Sequence, residues 1–163
     1  MQNLEIKRIL EECQLELDEI KTILSASEIK FDKLTKYLTN YAVIRACSTI
    51  EFCCKKAVAD FFEKGQSKYI REYLSKTIRK NSSNPSLDMI NSTLKSFGGS
   101  YNDNFNRGVK KKKKEYNSYL QKLREARNNI AHGYNINITI STVMEYYKNS
   151  EEVIKILDSV LIQ

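Results

Sequence analysis

Five glycines and a single proline, Pro85, are spread over 163 residues, so the backbone is almost nowhere obliged to turn sharply. Lysine, glutamate and leucine, all good helix formers, are abundant. A fold of helices is the direct consequence. With 41 % hydrophobic residues the chain has the apolar content of a globular protein, and its length suits one domain, expected over residues 1–163.

Apolar spacing sets the expected elements. Ile6, Ile9, Leu10, Cys13, Leu17, Ile20 and Leu24 recur at helical intervals and predict a helix over 3–24. A long helix is expected over 27–64, with a bend near Asn40 and a stop at Gly65. Shorter helices are expected at 67–80 and at 85–97, the second opened by Asn84 and Pro85. The stretch FGGSYNDNFNRG reads as a loop. Two further helices are expected over 109–132, closed by Gly133, and over 141–161. The sum is an all-α bundle of four main helices with a short helical insertion.

No stretch approaches the length needed to cross a bilayer, and the N-terminus is amphipathic rather than signal-like, so a soluble, cytoplasmic protein with no membrane partner is expected. Cys13, Cys47, Cys53 and Cys54 lack C-x-x-C spacing and read as buried free thiols rather than a zinc site or a disulfide framework. No phosphate loop, metal-ligand spacing or nucleophile elbow is present; neither cofactor nor metal is expected.

The net charge of +7 has one source. Arg107, Lys110, Lys111, Lys112, Lys113, Lys114, Lys122, Arg124 and Arg127 stand against Glu115 and Glu125, while the rest of the chain is balanced. Such a segment favours a phosphate polymer, and Lys110 to Lys114 with Arg124 are the expected RNA contacts. The plainer alternative is a solvated lysine face.

That segment runs into REARNNIAHGY, which holds the only histidine, His132. On a helical wheel Tyr116, Tyr119, Leu120, Leu123, Ala126 and Ile130 form the core face, and Arg127 lies at its edge. Ala131, Asn128 and His132 continue from Arg127 as a polar strip. On the second helix Glu51 falls within a broad apolar face that includes Ile44, Cys47, Cys54 and Val58. A carboxylate and a guanidinium both placed against a core each need a partner, so Glu51 is expected to approach Arg127 or His132. A histidine in the last turn of a helix sits among free carbonyls that favour its cation, which suits proton transfer at cellular pH. Arg127 can hold a phosphate, and Asn128 can orient the imidazole or add a donor. These groups suit RNA cleavage by its own 2'-hydroxyl.

RNNIAHGY resembles the R-x4-6-H motif of the HEPN superfamily, helical bundles that include metal-independent ribonucleases acting as toxins or antiviral effectors. YAVIRACSTIEFCCKK is similar to the second helix of the RiboL-PSP type of HEPN domain, and the approach NRGVKKKKKEYNSYLQKLREARNNIAHG also resembles that type. The resemblance implies an HEPN-like fold, catalytic roles for Arg127 and His132, Asn128 as the polar residue after the arginine, and Glu51 as the acidic position of the second helix. It also implies a homodimer in which two motifs meet, with Ala131 permitting close approach.

Arg127, His132 and Tyr134 spell R-x4-H-x-Y, similar to HEPN toxins whose partner nucleotidyltransferase adds AMP to the tyrosine. The resemblance thus makes Tyr134 a candidate modification site and an antitoxin or regulatory protein a candidate partner. The alternative for Tyr134 is a ring packed over the helix end. For the whole chain, the expectation is a metal-independent endoribonuclease; the alternative is a non-catalytic HEPN module that binds nucleotides or a partner protein.

Overall fold

The computed structural model describes residues 1–26, 32–81 and 85–162. The apolar stripe of the first segment builds α1 (Leu4–Ala26), which buries Ile6, Leu10, Cys13, Leu17 and Ile20. α2 (Asp32–Glu63) is followed by a turn at Gly65, where φ is 72°. α3 (Lys68–Leu74) passes directly into a π-helical turn, Ser75–Arg79. α4 (Leu87–Phe97) and α5 (Gly99–Val109) come next. A 3-10 turn at Lys110–Lys112 leads into α6 (Lys113–Ala131), and α7 (Ile140–Leu161) is the last helix. Among the described residues there is no strand.

α1, α2, α6 and α7 are the four main helices of an all-α, HEPN-like bundle. α2 and α7 form the central pair, α1 and α6 each pack against both, and α5 lies on α7 with α4 on α5. α7 is buried almost along its length through Val143, Tyr147, Val153, Ile154, Leu157, Val160 and Leu161. Each large aliphatic among them contributes roughly 1.5 to 3 kcal/mol by leaving water. Two polar groups in this core are paired across helices, while the buried Ser150 hydroxyl has no hydrogen-bond partner among the described residues. The Tyr147 hydroxyl donates to the Leu10 carbonyl at 2.8 Å, and the buried Asp158 carboxylate accepts the backbone N–H of Gln2 at 2.6 Å. The four cysteines are buried and free, and burial pushes the Cys53 and Cys54 thiols up to about 12.

Three expectations need correction. FGGSYNDNFNRG is not a loop: only Gly98, with φ 154°, turns the chain, and α5 begins at the next residue. Asn102, Phe105 and Val109 then bury one face, and the Asn106 amide donates to Asn91 and to the Asn102 carbonyl. The fourth helix starts at Leu87 with Ser86 as its cap, accepting the Met89 N–H, rather than at Pro85; Asn84 lies outside the described residues. The segment over 109–132 is interrupted at its start, since the lysine run sits on the 3-10 junction and the first turn of α6. Of the second helix, the expected start at 27–31 lies outside the described residues.

Candidate active site

The end of α6 is fixed by its backbone. Gly133 adopts φ 76°, its N–H reaches the Ile130 carbonyl at 3.0 Å, and the Tyr134 N–H reaches back to the Asn129 carbonyl at 2.8 Å. This pair of bonds is a Schellman motif, and it makes His132 the C-cap, with its own N–H on the Asn128 carbonyl at 3.0 Å. His132 is therefore presented to solvent on an ordered terminus. Tyr134 is 66 % exposed, its ring centroid 6.3 Å from that of His132, so it stands beside the imidazole rather than packed over the helix end.

Arg127 is half-buried where α6 crosses α2. Its guanidinium lies close to the Cys47 sulfur. Burial pushes the Cys47 thiol up, the nearby Arg127 guanidinium opposes that, and the Glu51 carboxylate adds to the rise. Arg127 and Glu51 both neighbour Cys47, but the ion pair of Glu51 is with Lys55 and not with Arg127 or His132 as expected. Glu51 is held at its other side by Lys55, one turn on, with Nζ 2.5 Å from Oε1; the same ammonium also donates to the Asn81 carbonyl. Asn128 is half-buried beside Arg127.

Lys110, Lys111, Lys112, Lys113 and Lys114 are all exposed, and Arg124 is half-buried. Lys114 and His132 are eighteen residues apart, five helical turns, so they lie on one face of α6 about 27 Å from each other. Gln121, Arg124 and Asn128 occupy the same side between them.

The apolar face assigned to α2 divides in two. Val43, Cys47, Ile50 and Cys54 are buried, whereas Ile44 is exposed together with Leu34, Tyr37, Tyr41 and Phe52. α1, α6 and α7, with α3 and the π-helical turn, pack on α2, and among the described residues this stripe stays exposed. It adjoins the Cys47 and Glu51 positions, so it borders the motif. The signal was present in the alternating three- and four-residue spacing of Leu34, Tyr37, Tyr41 and Ile44, masked because apolar residues occur on the core side too. Tyr119 also departs from the expected core: it is half-buried, and its hydroxyl donates to Glu145 at 2.8 Å.

The structure sets an arginine, an asparagine and an exposed histidine along the last turns of one helix of an all-helical bundle. The RiboL-PSP-HEPN family model matches residues 4–163, and the chain belongs to that family. Comparison with curated proteins and with solved structures finds no match. Among the described residues no helix is long and apolar enough to cross a membrane.

Proposed function

We propose that the protein is a metal-independent endoribonuclease, working as a homodimer in a toxin or defence role. The observation that carries this is the Schellman terminus, which holds an exposed His132 on the helix that anchors Arg127 against Cys47. In the proposed reaction the 2'-oxygen attacks the adjacent phosphorus while a His132 imidazole accepts its proton. The bond to the 5'-oxygen breaks, that oxygen takes a proton, and a 2',3'-cyclic phosphate and a 5'-hydroxyl end remain. Arg127 and Asn128 would stabilise the charge that develops on the phosphoryl oxygens. Glu51 would act as a positioning residue through the Cys47 contact. RNA would run along α6 from Lys114 past Arg124 to His132.

Helix geometry favours a shared site. Five residues separate Arg127 and His132, a rise of about 7.5 Å with about 140° of rotation, a wide span for one scissile phosphate. The bare stripe of α2 borders the motif, and a second copy seated there would bring its own motif close. An antitoxin or regulatory protein acting at Tyr134 fits the exposure of that ring.

Incubating the purified chain with bulk RNA in EDTA, beside His132→Ala, tests the reading. Cleavage by the parent alone, with cyclic phosphate ends, is the expected result. Products with 5'-phosphates, or equal cleavage by both proteins, would overturn it. An intact RNA pool with tight nucleotide or protein binding would favour the non-catalytic alternative.

A further inference from the structure

We propose that Tyr69 and Tyr73 on α3 form a stacking platform for bases of single-stranded RNA, with Lys68, Arg71 and Lys76 neutralising the phosphates. The proposal rests on RNA being the substrate, and it names a recognition surface separate from the lysine run.

The first support is exposure. Tyr69 is 83 % and Tyr73 65 % exposed, with Ile70 between them also exposed. The two tyrosines are one turn apart, about 6 Å along the axis, close to twice the roughly 3.4 Å rise of stacked bases. That spacing matches the thickness of one base held between two rings.

The second support is charge. From Lys64 to Lys80 there are six cations, Lys64, Lys68, Arg71, Lys76, Arg79 and Lys80, against one carboxylate, Glu72. Arg79 is committed to Asp60 and Glu63, at 2.6 and 2.8 Å, and Lys68 lies 3.9 Å from Glu72. Arg71, Lys76, Lys64 and Lys80 are exposed. Whole-chain charge hides this surface, because the acidic excess of α1 and α7 balances it in the total. Aromatic rings among exposed cations suit a flexible polyanion with flat bases better than an acidic or apolar protein face.

Position links the platform to the motif. Tyr73 lines a cavity of about 270 Å³ with Lys55, Thr77, Ser92, Thr93 and Phe97. Lys55 holds Glu51, which with Arg127 flanks Cys47. Lys55 is eight residues from Cys47 on α2, about 12 Å along the helix. A few nucleotides of single strand cover that reach, so a strand held by Tyr73 can extend to Arg127.

The test measures binding without cleavage. Fluorescein-labelled 2'-O-methyl oligoadenylate lacks the attacking hydroxyl, and its anisotropy is titrated with the full chain across a salt series. Tyr69→Ala and Tyr73→Ala should each weaken binding roughly tenfold while leaving the salt slope unchanged, and the Phe variants should restore it. Changing Lys68, Arg71 and Lys76 to Gln should lower the slope of log affinity against log salt by about 0.7 for each phosphate released. Circular dichroism and melting confirm that the exposed sites tolerate change. Ala variants that bind like the parent would overturn the platform, as would an Ala variant whose only change is in sedimentation, which would make the patch a protein contact. Cleavage of bulk RNA is scored separately: a platform that binds in a chain that never cuts rejects the ribonuclease reading, and a chain that cuts with no tyrosine effect rejects the platform.

Discussion

The Arg127 guanidinium lies beside the Cys47 sulfur at the α6 and α2 crossing, so the motif arginine is set against a side chain of the core. Its planar fork can then face a phosphate with two parallel donors, which a lysine ammonium cannot do. Arg127→Lys should therefore lower RNA cleavage by about 100-fold, near the effect of losing one charge-stabilising donor, while the melting temperature stays close to that of the parent. Full activity with lysine would mean that charge alone suffices there.

Subunit sharing has its own signature. If Tyr41, Ile44 and Phe52 are covered by a second copy, the pair Tyr41→Glu and Phe52→Glu should shift sedimentation from dimer to monomer and abolish cleavage together. Arg127→Ala and His132→Ala proteins, each inactive, should regain activity when refolded together if the arginine of one chain serves the histidine of the other. A monomeric parent at micromolar concentration would exclude the shared site.

Gly133 is the residue on which the histidine's position depends. A Cβ there would meet nothing within 4 Å, so the cost of Gly133→Ala is conformational, from forcing alanine to φ 76°. About 1 to 2 kcal/mol is expected, a fall of roughly 2 to 8 °C in melting temperature, with Gly133→Asn closer to the parent. Activity should fall further than stability does, because the Schellman bonds also hold His132.

Acid stability should depend on Asp60. Burial alone would raise its pKa, but hydrogen bonds from Arg79 and Lys56 outweigh that and hold the carboxyl below its usual value. A depressed folded pKa gives stability that is complete above the unfolded value, about 4, and is lost as pH falls through the folded one. Urea denaturation from pH 6 to pH 3 should show a decline that is shallower in Asp60→Asn. An unchanged slope would assign the decline to other carboxylates.

The sequence disclosed the main helices because their apolar residues repeat with a helical period and Gly65 and Gly133 stop them where φ is positive. α5 was hidden for the opposite reason. Its glycines and asparagines are turn formers in isolation, and only packing of Phe105 and Val109, with Asn106 bonded to Asn91, makes them helical. For the site, the ends of the motif were legible, since a lone histidine before a glycine marks a helix terminus. The sulfur partner of Arg127 was not, because no spacing rule links residues eighty positions apart. Lys55 as the neighbour of Glu51 was legible in principle, being one turn away on the same helix.

Asp158 and Tyr147 tie the last helix to the first, through the amide of Gln2 and the carbonyl of Leu10. These contacts span 156 and 137 residues, so a chain emerging from the ribosome has translated Arg127 and His132 before the bundle can close. Its core is completed only once α7 has left the exit tunnel, and until then α1, α2 and α6 lack the central helix that all three pack against. A host that makes this protein thus has an interval, set by the time to translate and release α7, in which the motif exists as sequence without the rigid terminus that presents it.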